Sequence, residues 1–401
     1  MLIEELQQLE NPDILKIIHQ NIDKSPHELS LKLKNNKGIP HRAISEQVSC
    51  YQKAKTKLPS FIEKSILFEK NALEQSSSEF TARYKSSLIS GDKLLDLTGG
   101  LGIDDVFFAT SFNVVTYCEL NPVLAYLMRY NLKKQNILNI EINNFDSIEL
   151  LKNSDDNSYD WIYVDPSRRD ENRRSVDLEY CTPNVYENME LFFQKSQNVM
   201  IKAAPAYDLT EASRKFPYLS EIHVVSVDGE CKEVVLILRN TLLTKNIKIF
   251  AVSLNSKNGN RFISSDYFTE KRIKNISEIK TYFYEPECSI IKSNLTALIA
   301  KQLQISFINN SSPFLTSSEL IKDFPGRSFK ITQWIKFNEL EIKKYLKQNG
   351  IIKANITRRD FRLSVDEIRK RLKLKDGGNI YLFFTSDINK KGIMIVCEKV
   401  I

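Results

Sequence analysis

Carboxylates recur in this sequence at the points where short apolar runs end, and a glycine-rich turn follows the first of them. The run Asp96-Leu97-Thr98-Gly99-Gly100-Leu101-Gly102 closes one such segment. Glycines there let the backbone approach a bound nucleoside and amino-acid moiety closely, and a carboxylate at the strand end can face an ammonium group. We expect Asp104 and Asp105 to be charges of the first helical turn rather than ligands. The predicted cofactor-binding residues of this turn are Asp96, Thr98, Gly99, Gly100 and Gly102.

A dinucleotide site is the obvious rival for a glycine-rich turn. Its fingerprint requires Gly-x-Gly-x-x-Gly, and counting from Gly100 and Gly102 the third position is Asp105. An acid at that position would also repel a pyrophosphate held at the helix N-terminus. The sequence therefore argues against a dinucleotide.

Two more carboxylates follow the next two apolar runs. Glu119 ends the second, where a carboxylate can accept from both hydroxyls of a ribose. The alternative is an acid in a solvated loop. Asp146 follows the third run in Asn144-Phe145-Asp146-Ser147 and can accept from an adenine amino group, with Phe145 against the ring. Its alternative role is the N-cap of the next helix, and one Asp can do both.

The fourth run closes with Asp165-Pro166-Ser167-Arg168-Arg169, at the edge where open α/β sheets bind ligands. A carboxylate there can take the proton from a nitrogen acceptor during group transfer. We predict Asp165, Pro166 and Arg168 as catalytic residues. The alternative is a proline-initiated turn before an exposed charged loop. Forked donors suited to phosphate or carboxylate recognition are supplied by Arg168, Arg169, Arg173 and Arg174.

Two further segments are candidates for lining a pocket. Gln75-Ser76-Ser77-Ser78-Glu79 precedes the glycine turn, and we assign Gln75 to the cofactor. Lys202-Ala203-Ala204-Pro205 follows the fifth apolar run; taken alone, each segment is better explained by a structural role. Cys231 has no partner base in its surroundings, so the sequence does not support it as a nucleophile.

The elements that must position these residues change character along the chain. Residues 1–88 show three- and four-residue apolar spacing and are predicted to be helical. From Lys93, apolar runs alternate with helical segments at 122–134, 147–153 and 184–196, which predicts a parallel sheet buried on both faces. The strands 222–227 and 234–238 are too close for a crossover, so they are predicted to be antiparallel. The predicted fold class is α/β and Rossmann-like.

Beyond residue 242, short strands and helices are mixed, which predicts α+β domains. The last segment is predicted as a strand (351–357), a helix (364–373), a Gly377-Gly378 turn and a hairpin of 380–384 with 393–397. The predicted domains are residues 1–88, 89–242, 243–338 and 339–401.

Composition limits the partners and the compartment. Lys and Arg minus Asp and Glu give −9 for residues 91–242 and +14 for residues 243–401, so the C-terminal part is the one that would meet a polyanion. No run of 18 apolar residues is present, and the first residues carry acids where a signal peptide carries bases. We expect a cytoplasmic protein. The six cysteines stand singly, which favours neither disulfides nor a zinc site.

Taken together, Asp96 to Gly102, Glu119-Leu120-Asn121-Pro122, Asp146 and Asp165-Pro166 resemble class I S-adenosylmethionine-dependent methyltransferases. The resemblance implies their seven-stranded sheet with an antiparallel last strand, and S-adenosyl-L-methionine as cofactor. The fuller pattern is similar to a bacterial family with a ferredoxin-like segment and a C-terminal THUMP-like domain. That similarity extends over the chain from about residue 40. It is carried by residues 73–79, Asp165 to Arg169, Tyr284-Glu285-Pro286, Asp323 to Arg327 and Leu372 to Gly378.

The resemblance implies an RNA partner, a base of transfer or ribosomal RNA, because THUMP domains bind RNA. Ser167 and Arg168 stand where many exocyclic-nitrogen methyltransferases have a proline and an aromatic residue that stacks on a flipped base. The methylated atom is therefore not fixed by the sequence, nor is the oligomeric state. A small-molecule or protein acceptor, and a non-catalytic RNA-binding protein, remain alternatives.

Overall fold

The structure, a computed structural model, describes residues 1–34, 38–168, 178–240, 246–255, 259–267 and 274–400. The chain divides into two compact units. The first comprises residues 1–227 and 232–247, and the second comprises residues 228–231 and 248–401. None of the described helices is long and apolar enough to span a membrane.

The first unit begins with helices, as predicted. They are α1 (Ile3–Leu9), α2 (Pro12–Gln20), α3 (Pro26–Leu33), α4 (His41–Lys57), a 3₁₀ helix (Pro59–Lys64), α5 (Lys70–Gln75) and α6 (Glu79–Leu88). Local chemistry starts several of them: Asn11 and Ser25 cap α2 and α3, and each is followed by a proline at the first helical position. Their apolar faces form one core that continues onto the following α/β part, through Leu101 of the turn after its first strand and through Ile103, Phe107 and Leu127 of two helices.

The α/β part alternates strands and helices. Its elements are β1 (Gly91–Asp96), α7 (Ile103–Phe108), β2 (Phe112–Cys118), α8 (Pro122–Gln135), β3 (Ile140–Asn143), α9 (Ser147–Asn153), β4 (Trp161–Val164), β5 (Ser167–Arg168), β6 (Cys181–Thr182), α10 (Met189–Lys195), β7 (Asn198–Ala203), α11 (Leu209–Lys215), β8 (Leu219–Val227) and β9 (Glu230–Arg239).

Seven of these strands lie in the order β3-β2-β1-β4-β7-β9-β8. All pairs from β3 to β7 are parallel, and β9 is antiparallel to β7. β8 and β9 are neighbours joined by Asp228-Gly229 alone, so they form the predicted hairpin. The Rossmann-like fold class is confirmed. The strand order reverses at β1, because β2 and β3 lie on one side of it and β4 and β7 on the other. In open α/β sheets, ligands bind at the carboxyl ends of the strands beside such a point.

One predicted helix is shorter than expected. The segment 184–196 is helical only from Met189. The Asn184 side chain accepts hydrogen bonds from the amides of Tyr186 and Glu187, which offers the backbone a turn instead of a helix.

The second unit contains a hairpin and a seven-stranded sheet. Its elements are β10 (Lys248–Leu254), β11 (Arg261–Asp266), β12 (Tyr282–Pro286), α12 (Cys288–Lys292), α13 (Thr296–Gln302), β13 (Ser306–Phe307), β14 (Leu315–Ser317), β15 (Gly326–Lys336), α14 (Glu339–Gln348), β16 (Asn355–Arg358), α15 (Val365–Leu372), β17 (Ile380–Ser386) and β18 (Gly392–Lys399).

The sheet of the second unit has the order β13-β14-β12-β15-β18-β17-β16. One of its faces is covered by α14 and α15 through a core that includes Ile342, Ile368 and Leu382. The predicted helix 364–373 is observed as α15, capped by a reciprocal Ser364–Glu367 pair. The predicted strand 351–357 is shorter, because only Asn355 to Arg358 pair with β17.

Candidate functional site

The turn after β1 can be built only with glycines at two of its positions. A Cβ on Gly99 would lie 2.2 Å from the Tyr117 ring, and a Cβ on Gly102 would lie 2.3 Å from the Met128 sulfur. Gly102 also has a φ of +73°, in the left-handed region. The turn is therefore pressed against β2 and α8, and Thr98, Gly99 and Gly100 stay partly exposed.

Thr98 links the ends of β1 and β4. Its amide and hydroxyl donate to Asp96 Oδ1 at 2.7 and 3.1 Å. The Asp165 amide in turn donates to Thr98 Oγ1 at 2.7 Å. One side chain thus fixes two predicted site residues, a cofactor carboxylate and a catalytic one, in a single arrangement.

Asp96 lies next to a second buried carboxyl, that of Asp105. Burial raises the pKa of Asp96 to about 7. Burial, together with the neighbouring Asp96, raises the pKa of Asp105 well above its usual range. Neither carboxylate oxygen of Asp105 accepts a hydrogen bond from a donor among the described residues, since its polar neighbour is another acid. Above about pH 7 the two groups hold one proton between them, so the pair then presents one negative charge rather than two.

Glu119 and Asp146 occupy adjacent strand ends. Glu119 accepts from the amides of Gly100 and Asn121 at 2.9 and 2.8 Å, one on each carboxylate oxygen. Asp146 caps α9 by accepting from Ile148 and Glu149 through Oδ1 alone. Oδ2 of Asp146 accepts from no donor in the part of the chain that the structure describes. The residues beside these acids, Leu120 and Phe145, are 62% and 57% exposed, although both are large and apolar.

Asp165 lies beside a lysine that the sequence marked only as a pocket-lining candidate. Val164 of β4 pairs with Ile201 of β7, which brings the next residues, Asp165 and Lys202, together. Lys202 Nζ donates to Asp165 Oδ2 at 2.5 Å. Burial opposes the charge of Lys202, yet the carboxylates of Asp165, Glu233 and Asp104 raise its pKa above the usual value.

A buried ionic network lies in the same unit. The fully buried Lys85 places Nζ 3.0 Å from Glu233, 3.1 Å from Asp104 and 2.7 Å from Ser77 Oγ. Tyr163 donates to Asp104 at 2.7 Å. Burial alone would raise the pKa of Asp104, but Lys85, Lys202 and these hydrogen bonds hold it below the usual value. Asp104 is thus an ion-network residue rather than a simple helix-start charge.

The remaining predicted residues are placed less directly. Gln75 ends α5 and is exposed, two residues before Ser77, which donates to Asp104 at 2.8 Å. Pro166 follows Asp165 and is half-buried. Arg168 belongs to β5, but its side chain lies outside the described structure, as do Arg169, Arg173 and Arg174. The structure thus brings together the predicted cofactor carboxylates and Asp165, and leaves the arginines undescribed.

Basic side chains of the second unit differ in whether they have acidic partners. Arg369 pairs with Asp376, Arg371 lies 3.8 Å from Glu339, and Lys343 pairs with Glu339. A second group is exposed and makes no ion pair with any described residue: Lys353, Arg359, Lys370, Lys373 and Lys375. These five are free to contact an external anion.

Comparison with known proteins assigns the second unit to two domain families. Residues 282–325 match a ferredoxin-like domain, and residues 326–399 match a THUMP domain-like family. The second match therefore begins with β15.

Relatives of the whole chain are methyltransferases. Two strains of Mycobacterium tuberculosis each have an uncharacterised S-adenosylmethionine-dependent methyltransferase that is 21% identical over 309 residues, 77% of this chain and 81% of the relative. The crystal structure of a candidate methyltransferase from Porphyromonas gingivalis W83 is 27% identical, with a TM-score of 0.82 over 97% of this chain and 98% of that one. The predicted resemblance, enzyme class and cofactor are confirmed: the chain is a S-adenosylmethionine-dependent methyltransferase.

Proposed function

We propose that this methyltransferase acts on RNA, with a base of transfer or ribosomal RNA as acceptor, in the cytoplasm. The observation that carries the proposal is that the predicted reaction site lies in the first unit and the exposed cations lie in the second. The first unit holds Asp165, paired with Lys202, beside the glycine turn. The second holds a THUMP domain-like segment whose surface carries unpaired cations.

The residues at the sheet edge fit S-adenosyl-L-methionine. Asp96 would face the ammonium of the methionine part. Gly99 and Gly102 let the turn close against Tyr117 and Met128, and Gly100, whose Cβ position meets only Thr98 O within 4 Å, would leave room for the cofactor. Glu119 retains a second acceptor site on each oxygen for the ribose hydroxyls. Asp146 Oδ2 is left to accept from the adenine amino group. The exposed Leu120 and Phe145 flank this position, as apolar walls of a ring pocket would.

The cofactor supplies a methyl group on a positively charged sulfur. Asp165 then needs only to orient an acceptor and receive a proton. With a nitrogen acceptor, the nitrogen lone pair forms the new N–C bond and the C–S electron pair returns to sulfur. The N–H proton passes to the Asp165 carboxylate, so the transfer leaves a neutral amine and a neutral thioether.

Charge in the second unit supports RNA as the partner. Residues 326–399 contain 18 Lys and Arg against eight Asp and Glu, whereas residues 282–325 contain three against four. The excess is therefore concentrated in the THUMP domain-like segment. Cations without acidic partners release counterions when they contact phosphates, which gives salt-dependent binding.

The experiment is transfer of labelled methyl from S-adenosyl-L-methionine to bulk RNA from cells lacking this protein. We expect label in nuclease-sensitive material, lost in Asp165→Asn. Asp156→Asn is the matched control, since Asp156 is also an acid paired with a lysine, Lys195, but precedes β4 rather than following it. The label also allows the modified nucleoside to be identified.

The same experiment gives a different result if the acceptor is not RNA. If cofactor binds but label appears only in protein or in small molecules, the RNA proposal is wrong and the acceptor lies in that fraction. If RNA binds and no cofactor does, the chain is an RNA-binding protein without this activity.

A further inference from the structure

We infer that Lys202 is a positioning residue for the reaction: it holds the Asp165 carboxylate turned toward the acceptor. The inference rests on the proposed role of Asp165 as proton acceptor. It extends that proposal to Lys202, for which the sequence alone favours a structural role.

The position of Lys202 is set by strand register rather than by a flexible loop. β4 and β7 are adjacent and parallel, and Val164 is opposite Ile201. Lys202 is still within β7, and its side chain is only 13% exposed, whereas that of Asp165 is 37% exposed. The ammonium is therefore held on the protein side of the pair, and the carboxylate extends toward solvent, where an acceptor arrives.

The two oxygens of Asp165 differ in consequence. Oδ2 accepts from Lys202 Nζ, while Oδ1 accepts from no donor among the described residues. The backbone of Asp165 is fixed separately, because its amide donates to Thr98 Oγ1. A carboxylate anchored at its amide and at one oxygen has its second oxygen available for the departing proton of the acceptor.

Other charged groups face Lys202 and keep it protonated. Besides Asp165, the carboxylates of Glu233 from β9 and Asp104 from α7 raise its pKa, against the effect of burial. A further cation, Lys57 at the end of α4, interacts with Lys202. Burial, together with the charges of Lys202 and Lys232, lowers the pKa of Lys57 to about 8. With three carboxylates around it, Lys202 stays a cation and does not itself accept the proton.

The test compares Lys202→Gln, Lys202→Arg and Lys195→Gln. Lys195 is a matched control: it is buried, donates to Asp156 at 2.8 Å, and precedes β7 instead of lying within it. For methyl transfer to bulk RNA we expect Lys202→Gln to lower kcat by about 100-fold, with KM for RNA little changed. The KM is expected to hold because the change affects the orientation of Asp165 at the reacting atom and not the capture of RNA.

Lys202→Arg should restore most of kcat, since a charged donor to Asp165 is kept. Lys195→Gln should lower the melting temperature but leave kcat unchanged. An unchanged kcat in Lys202→Gln, or a loss of kcat that simply follows a loss of folded protein, would overturn the inference.

A second measurement needs no acceptor and separates this inference from the RNA proposal. Crystal structures of Lys202→Gln and Lys195→Gln show where the Asp165 carboxylate lies. We expect it to turn away from its wild-type position in Lys202→Gln but not in Lys195→Gln, while its amide still donates to Thr98 Oγ1. If wild type methylates no RNA but this turn occurs, the acceptor proposal fails and the positioning role stands. An unchanged carboxylate position in Lys202→Gln overturns the positioning role whatever the acceptor.

Discussion

The first unit contains a network of buried, paired charges, whereas the THUMP domain-like segment carries exposed cations of which several have no described partner. Lys85 is fully buried among Glu233, Asp104 and Ser77, while Lys370 is exposed and has no described ion-pair partner. Burial strengthens the electrostatic interactions of a charge, but a buried charge requires a fixed partner. Solvent weakens the interactions of an exposed charge, but the charge stays available to a polyanion. Chemistry at a reacting atom needs the first arrangement, and capture of a large substrate needs the second.

Glycines of the two units also differ, in how crowded their surroundings are. Gly102 has positive φ and a neighbouring sulfur where its Cβ would be, while Gly377, with φ of +89°, has nothing within 4 Å of that position. The sheet edge of the first unit is thus crowded as well as charged, and the Gly377 turn is shaped by backbone conformation alone.

The largest effect expected from this difference follows removal of a buried charge. Lys85→Met leaves Glu233 and Asp104 buried without their cation, and should lower the free energy of unfolding by about 3–5 kcal/mol. Lys370→Met removes an exposed charge and should change it by less than about 0.5 kcal/mol. Urea unfolding followed by circular dichroism measures both. Equal losses in the two variants would contradict the contrast.

The next effect tests crowding. Gly102→Ala should cost about 2–3 kcal/mol of unfolding free energy, because a backbone conformation unfavourable to alanine is combined with a clash against Met128. Gly377→Ala shares only the backbone cost, about 1 kcal/mol. We also expect Gly102→Ala to weaken S-adenosyl-L-methionine binding, measured by calorimetry, and Gly377→Ala to leave it intact. Weakened binding in both variants would show that the turn after β1 is not specifically required.

A smaller effect concerns pH. The raised pKa of Asp96, about 7, means that the folded protein takes up protons that the unfolded chain has already lost. Stability from this group is therefore complete below about pH 4, the usual range of an Asp, and is lost as pH rises through about 7. Cofactor affinity should move in the opposite direction, since an ionised Asp96 binds an ammonium better, and should rise several-fold between pH 6 and 8.

Asp105→Asn sharpens this prediction. The hydrogen bond with Asp105 lowers the pKa of Asp96, and an amide is a weaker donor than a protonated acid. Asp96 should therefore ionise at higher pH in the variant, and the rise in cofactor affinity should move to higher pH. Calorimetric titrations at each pH provide the measurement. An unchanged slope in Asp105→Asn would mean that the two carboxyls do not share a proton.

The smallest effect lies at the exposed surface. Lys370→Gln should reduce the slope of log affinity for RNA against log salt by about 1, the contribution of one phosphate contact. Lys343→Gln has the same change in net charge in the same unit, but Lys343 is already paired with Glu339 at 2.6 Å, so its slope should hardly change. Filter binding at several salt concentrations distinguishes the two; matching slopes would exclude a specific role for unpaired cations.

The alternation of strands and helices could be predicted from sequence because a parallel sheet buried on both faces needs uninterrupted apolar runs. The runs at 161–164 and 199–201 and the closing hairpin are therefore where they were expected. Positions set by one side chain could not be predicted in the same way. The Asn184 turn, for example, delays α10 to Met189 through two side-chain hydrogen bonds that carry no periodic signal.

The candidate site was predictable where a strand end and a carboxylate coincide, since topology alone brings Asp96, Glu119, Asp146 and Asp165 to one edge. Their ligand roles stay predictions. Lys85 was missed, because a lysine within α6 resembles any surface lysine until its partners, which are up to 148 residues away in the chain, are known. The one available signal for Lys202 was its position in a strand next to that of Asp165.

The boundary between the two matched domain families falls inside a hydrogen-bonded sheet. β12 of the ferredoxin-like segment pairs with β15 of the THUMP domain-like segment, from Tyr282 opposite Lys330 to Pro286 opposite Gly326. Cutting the chain there would expose two long strand edges, which invite pairing with other chains. The two segments are therefore expected to be gained, lost and exchanged as one heritable piece, and a chimaera that carries one without the other should aggregate rather than acquire its partner's binding.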